Sequence, residues 1–457
     1  MSARCYRVQR SLGATCALLG ATFALLGAWA WASAPGPPAG PAGDEGAPAS
    51  EGVGPLRPAP TGADGREPLA WGIEPFFRAR SVTATYLGPG REDPEPAGIA
   101  EVLVGWFAPF DPNDPEGGDL WRAASLAVEE ANTSGGCRGV PFRLRPCWSG
   151  SPWSQGASEL ARMVYGEPVW AVIGSVNGEA THLAEQVAVK ACVPLVSPVS
   201  TDKTVNLANV PWIFSLAPGD HRQAPLLADA LLAASAGRPF VLLSATNHDA
   251  RMAASELLAA LRREQATPAL HLTFAPGPVG TGNLARELEH VRATHAAAFV
   301  VAAGALDSAR VAKLLRAQGF GGPIFGVAPM GRTCFRGEAG SAGEGSTFPL
   351  LFDPGESDCA AEFARRFETR FGRQPDYAAA HAYDATCLVV AAIRQAGLNR
   401  ARIRDALETL SPWQGVTGTV HWDPTGQNDR PILLGTIAEG RVVARPGGVR
   451  LAQTAQR

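Results

Sequence analysis

The sequence predicts an α/β protein of two Rossmann-like lobes, each with a parallel central sheet. Three observations lead there. Strands and helices alternate from about residue 100. The alternation restarts near residue 220. Three successive helices after residue 352 then return before two final strands. Strands alternating with helices of this length pair in parallel and are covered on both faces. Such sheets take ligands beyond the carboxyl ends of their strands.

Residues 101–107 read as a buried strand and 109–118 as a loop. Asp119 is expected to cap a helix with Leu120, Ala124, Ala127, Val128 and Ala131 on its apolar face, stopped at Asn132-Thr-Ser-Gly-Gly136. A strand follows at 140–145. Helices at 155–165 and 178–190 alternate with strands at 169–173, 193–196 and 212–215. The second run has helices at 221–236, 249–263, 283–293 and 306–318. Its strands are at 240–244, 270–274, 298–301 and 324–327. Helices at 359–371, 378–396 and 402–410 come next, then strands at 416–422 and 432–437. The turn Asp423-Pro-Thr-Gly426 joins those last two strands.

The chain of 457 residues is too long for one core. A net charge of −3 argues against a nucleic-acid-binding face. Arg4, Arg7 and Arg10 precede an uncharged apolar run at 11–34, and Ala30-Trp-Ala32 fits a cleavage site, so residues 1–34 read as an export signal. The run is also long enough to span a bilayer, which makes a retained anchor the alternative. Either way the bulk of the chain is expected outside the cytoplasm. Residues 35–66 are Pro, Gly, Ala and acidic, a disordered tether. Residues 67–98 form an extension in which 81–87 could be an edge strand.

Oxidation is permitted outside the cytoplasm. Cys137 and Cys147 flank one strand, and a bridge between them would contribute on the order of 3 kcal/mol. Cys334 and Cys359 are a second candidate pair, while Cys192 and Cys387 read as buried thiols. No Cys-x-x-Cys or close Cys/His cluster points to a metal.

The loop 174–178 joins a strand to a helix. Outward amide N–H groups at such a helix start favour an anion such as a carboxylate. Asn177 can cap the helix, and Gly178 lets a ligand approach the backbone. Residues 197–202 form a second strand-end loop facing the same cleft. The chain has no Gly-x-Ser-x-Gly, His-Glu-x-x-His or phosphate loop, so no enzyme is expected. His182 and His248 read as surface or hydrogen-bonded histidines, His381 as packing, and the acidic loop 111–119 as solvated. Trp106 fits either the cleft mouth or the core.

Ordered pieces from 101 to 444 resemble a known family. They are Gly105-x-x-Ala-Pro109, Ala127-Val-Glu-Glu-Ala-Asn132, Gly135-Gly-x-x-Gly139, Val172-Ile-Gly174, Val193-Pro-Leu-Val-Ser-Pro198, Pro375-Asp376, Ala382-Tyr-Asp-Ala385 and Val416-Thr-Gly-Thr-Val-His-Trp-Asp-Pro-Thr-Gly426. The chain resembles type I periplasmic solute-binding proteins of the branched-chain amino acid class, which serve ABC importers. The resemblance implies a clamshell of two lobes joined by a three-crossover hinge. One lobe would span 99–217 plus 350–412 and the other 218–349 plus 413–444, with a tail at 445–457. It implies that Thr201 donates a hydroxyl to the ligand carboxylate and that Val199 offers its carbonyl. Anchoring falls to Gly178, Ser200 and Thr201. Gly178 stands where the family has a serine. Asp249 and Gly304 stand in place of aromatic residues that cover the ligand, and Ala328 in place of the acid that pairs with its ammonium group. Selectivity would come from these three. Asp249 could take over the acid's role or simply cap its own helix. The function implied is capture of a small polar solute, an amino acid or related compound, by a monomer without cofactor that serves an ABC importer permease. A membrane-tethered sensor built on the same clamshell is the alternative.

Overall fold

The computed structural model describes residues 77–78, 85–148, 155–291 and 294–445. The expected export signal at 1–34, the tether at 35–66 and the tail beyond 445 lie outside these residues. Among the described residues no helix is long and apolar enough to cross a membrane.

A two-stranded ribbon comes first, β1 (Phe77–Arg78) against β2 (Thr85–Tyr86). The first large run is β3 (Val102–Phe107), α1 (Gly118–Thr133), β4 (Phe142–Pro146), α2 (Ala157–Gly166), β5 (Val169–Gly174), α3 (Gly178–Lys190), β6 (Leu195–Ser197), α4 (Thr204–Leu207) and β7 (Ile213–Ser215). The second is α5 (Asp220–Ser235), β8 (Phe240–Ala245), α6 (His248–Arg263), β9 (Leu270–Phe274), α7 (Pro278–Val291), β10 (Ala298–Ala302), α8 (Ala305–Ala317), β11 (Ile324–Gly326), α9 (Thr333–Ala339) and β12 (Thr347–Leu350). The chain returns as α10 (Asp358–Phe371), α11 (Tyr377–Ala396) and α12 (Arg400–Thr409). The hairpin β13 (Trp413–Gly415) and β14 (Gly418–Val420) and the strands β15 (Leu433–Ala438) and β16 (Arg441–Ala444) close it.

The strands assemble into two sheets. The first lobe has the order β4-β3-β5-β6-β7, all parallel. The second has β16-β15-β12-β11-β10-β8-β9, parallel except for β15 and β16. Leaving those two aside, both lobes wind the same way: the second strand flanks the first on one side and the rest follow on the other. A parallel strand in such a sheet is buried on both faces, and alternate side chains enter opposite cores. In β3, Val104 and Trp106 enter the core shared with α1 and α11, while Phe107 enters the core of α2 and α3. In β8, Val241 and Leu243 face one way and Leu242 the other. Trp106 is thus core, its indole N–H donating to the Pro109 carbonyl at 3.1 Å. His381 is fully buried in α11, as expected.

α11 packs extensively on α1, and Ala123, Ala124 and Ala127 of one helix and Ala378, Ala382 and Ala385 of the other belong to the same buried core. Side chains this small let the helix backbones approach closely. Asp376 caps α11 by accepting from the amides of Ala378 and Ala379 at 3.0 and 3.2 Å. Asp119, expected as the cap of α1, lies in its first turn instead. Gly117 holds the cap position, and Asp119 bonds Arg122 and Arg373.

Two further expectations are corrected, the position of the last lobe switch and the cysteine pairing. The switch to the second lobe expected at 413 comes later, near Arg430. Residues 413–430 pack on the first lobe: Trp422 donates to the Leu407 carbonyl at 2.9 Å and stacks on Phe214, and Asp384 in α11 accepts from the amides of Val416 and Thr417. Residues 85–98, the part of the extension that is described, dock on the first lobe, an outcome the sequence left open. Tyr86 packs on Trp212, Arg91 pairs with Asp405 at 2.7 Å, and Asn399 donates to the Gly90 carbonyl. The cysteines Cys137, Cys147, Cys334 and Cys359 are all free thiols. Cys137 belongs to the core between β3 and α11, and Cys147 packs on the core of the opposite sheet face, with the five residues of β4 between them. Cys334 packs in the second lobe, whereas Cys359 is exposed on α10.

Candidate functional site

Loops at the carboxyl ends of both sheets face each other across a cleft. A cavity of about 130 Å³ lies there. The first lobe supplies Glu116 after β3, Val176 and Asn177 after β5, Val199 and Thr201 after β6, and Tyr377 at the start of α11. The second supplies Asp249, Gly304, Val327 and Arg332. Asp220, the first residue of α5, stands where the chain crosses from one lobe to the other.

Five of the eight residues expected from sequence line this cavity: Asn177, Val199, Thr201, Asp249 and Gly304. Asn177 also caps α3, its Oδ1 accepting from the Ala180 amide at 2.8 Å. Three residues are placed differently. Ala328 is buried in the core, and its neighbours Val327 and Pro329 face the cavity instead. Ser200 is buried behind the lining, its hydroxyl without a hydrogen-bond partner among the described residues. Gly178 is buried, with its amide aimed at the cleft but already taken.

The group that takes it is Asp249. Its Oδ1 accepts from the Gly178 N–H at 2.6 Å, and its carboxylate is also hydrogen-bonded by the Glu179 amide. Asp249 therefore caps α3 of the opposite lobe rather than its own helix, whose cap position belongs to Asn247. A helix N-terminus attracts anions, and here the anion comes from the protein. Gly178 must lack a side chain for this to happen. A Cβ there would fall 2.7 Å from the Asp202 Cβ and 3.0 Å from the Asp249 Oδ1.

The cavity is short of positive charge. Burial pushes the Asp249 carboxyl up, against the opposing pull of the Gly178 amide. Burial also raises Asp220 well above the ordinary carboxylate range, despite a hydrogen bond with the Thr201 side chain. Glu116, open to cleft water yet walled by protein on most sides, is raised by the same desolvation. The one lining guanidinium, Arg332, is committed elsewhere: its Nε donates to Asp376 Oδ2 at 2.7 Å and its Nη2 to the Glu116 carbonyl at 2.6 Å. Burial alone would raise Asp376 too, but Arg332 and the Thr333 amide more than reverse that and hold it low.

The lobes are bound together around the cavity. Besides Asp249–Gly178 and Arg332–Asp376, His248 meets Asp202 at 2.6 Å, Lys203 meets Glu256 at 2.6 Å, and Arg222 meets Asp423 at 2.9 Å. Sequence reasoning missed Glu116, Asp220 and Arg332. Glu116 sat in a loop read as solvated, and nothing local marks an aspartate at a lobe crossing or an arginine behind a proline as cleft-facing.

The family model described as periplasmic binding protein matches residues 102–441. The chain belongs to the periplasmic binding protein family. This is a family of binding proteins rather than enzymes. A curated relative, the amino acid binding protein of Pseudomonas aeruginosa, is 26% identical over 132 residues, which span 29% of this chain and 35% of the relative. Among solved structures, the branched-chain amino acid transporter substrate-binding protein LivJ of Streptococcus pneumoniae, in complex with isoleucine, aligns at TM-score 0.69 and 23% identity over 77% of this chain and 99% of its own. The leucine-binding protein LivK of Thermotoga maritima aligns at 0.68 and 18%, over 76% and 98%. A solute-binding protein of Rhodopseudomonas palustris in complex with benzoate aligns at 0.67 and 16%, over 77% and 96%. These likenesses establish the type I periplasmic binding protein fold.

Proposed function

We propose that this periplasmic binding protein is an extracytoplasmic solute-binding protein that captures a small polar solute and presents it to the permease of an ABC importer. The observation that carries the reading is the cavity between the lobes, walled by strand-end loops of both sheets. A guest touching both walls favours the closed arrangement, because a ligand shifts a conformational balance only through contacts it makes in one state and not the other.

The lining favours a solute with a cationic head, an amino acid or a related amine. Glu116, Asp220 and Asp249 outnumber the single guanidinium, which Asp376 already neutralises. A buried charge needs a partner, and an ammonium or guanidinium group would give an opposite charge to Asp220 and Asp249, whose hydrogen bonds come from neutral groups. An α-amino acid would send its carboxylate to the Gly178 amide and displace Asp249, which then meets the ammonium group. Asp249 thus inherits the role of the acid missing at Ala328.

A thermal-shift screen tests this. Basic amino acids, neutral amino acids, polyamines and aromatic acids are added to the purified protein, and a true ligand raises the melting temperature. Stabilisation by compounds carrying an ammonium or guanidinium group supports the reading. Stabilisation by benzoate-like acids alone, or by nothing in the set, overturns it.

A further inference from the structure

Outside the cavity, three metal-ligating side chains converge at the cleft rim. His182 Nε2, Asp202 Oδ2 and His248 Nε2 all lie within 4.8 Å of one another. His182 Nε2 lies 2.8 Å from the Thr204 hydroxyl and 3.3 Å from Asp202 Oδ2, and His248 Nε2 lies 2.6 Å from that same carboxylate oxygen. Donor atoms around a tetrahedral zinc ion sit roughly 3.3 Å apart, so small side-chain movements would bring the three onto one ion. His182 lies in α3 and Asp202 just before α4, both in the first lobe, whereas His248 opens α6 in the second.

The surroundings resemble a prepared site. Metal-binding histidines usually hold a carboxylate or carbonyl with their other ring nitrogen, and ligating carboxylates are themselves hydrogen-bonded. His182 Nδ1 lies 3.3 Å from Glu185 Oε2. The second oxygen of Asp202 accepts from the Thr204 amide at 2.8 Å and from the Thr204 hydroxyl at 2.7 Å, which leaves Oδ2 as the free donor atom. Asp202 is almost fully buried, but about a quarter of each histidine side chain is exposed, so one side of the triad faces water. Three protein ligands and an open position suit a divalent transition metal, and imidazole with carboxylate selects zinc-like ions over calcium or magnesium.

We propose that His182, Asp202 and His248 form a zinc-class metal site that staples the two lobes at the mouth of the cleft. Two of its ligands ride on one lobe and the third on the other, so the ion binds tightly only when the lobes are shut. Metal and closure therefore favour each other, whichever solute the cavity holds.

Calorimetry with Zn2+ on the full chain tests this, together with visible spectra of the Co2+ form. The expected result is one ion per chain, weakened about tenfold or more by His182→Gln and by His248→Gln and unchanged by His421→Gln, an exposed histidine on the hairpin segment. Small-angle scattering should show a smaller radius with Zn2+ than with a chelator. The wild-type Co2+ spectrum should carry four-coordinate bands without thiolate charge transfer, a readout that does not depend on any variant folding. Absence of stoichiometric binding, wild-type affinity in both glutamine variants, or a thiolate spectrum from the free cysteines would each overturn the assignment.

Discussion

Asp249 Oδ1 on the second lobe lies 2.6 Å from the amide nitrogen of Gly178 on the first. The bond links the two lobes across the cleft at the helix start where the proposed function would seat an amino acid's carboxylate. In that proposal a solute must outcompete an acid of the protein's own.

Asp249→Ala removes that internal competitor. A hydrogen bond to a charged group contributes about 1.5–3 kcal/mol, so the unliganded variant should open. Small-angle scattering should show a larger radius than wild type, and amide exchange at Gly178 and Glu179 should speed up. An unchanged radius and unchanged exchange would count against the bond as a closing contact.

Gly178→Ser should reproduce the opening by crowding, because its Cβ would press on Asp202 and Asp249. Combined with Asp249→Ala it should add little to the opening, since its other clash, with Asp202, lies within the first lobe. Full additivity of the opening would contradict that shared cause.

Thr201→Ala should weaken solute binding by about 1 kcal/mol through a lost hydrogen bond, read by calorimetry with any compound that the thermal screen identifies. Equal affinity would remove Thr201 from the binding set.

Asp376→Ala should destabilise the fold by about 3–5 kcal/mol, because it strands the Arg332 guanidinium in the interior and also uncaps α11. Denaturant unfolding measures it. A loss under about 1 kcal/mol would mean that water reaches Arg332.

Burial, with the Arg430 charge nearby, pulls His381 down from its ordinary 6.5 to about 3. Between those values the unfolded chain binds the proton and the native one does not. Stability should therefore fall as pH drops through 6.5 toward 3, at up to about 1.4 kcal/mol per pH unit from this group. His381→Asn should flatten melting temperature against pH in that window. A parallel slope in the variant would assign the acid sensitivity elsewhere.

The alternation of strands and helices was legible because each element carries its own period and its own stops, as at Asn132 to Gly136. β12, α9 and β16 were not. Thr347-Phe-Pro-Leu350 is a four-residue strand containing a proline, and its partner β15 lies more than eighty residues on. In the first lobe the loops after β5 and β6 were readable, because their backbone amides follow from local sequence, whereas Glu116 was not. In the second lobe Asp249 and Gly304 were placed on the lining, but the role of Asp249 was not legible. Asp249 finds its partner 71 residues away, so local reasoning offered only its own helix to cap. Ala328 showed the limit of transfer by position: the loop after β11 turns its neighbours to the cleft and the alanine inward.

Residues 413–430 seal the first lobe, and 433–444 supply β15 and β16 of the second, so both halves are completed by segments that follow α12. Each half stays unfinished until residues 413–444 have been made. A stop codon at position 413 would spare every residue that lines the cavity. It would nevertheless strip Trp422 from its seat on Phe214 and leave β12 as a bare edge, a ready template for aggregation.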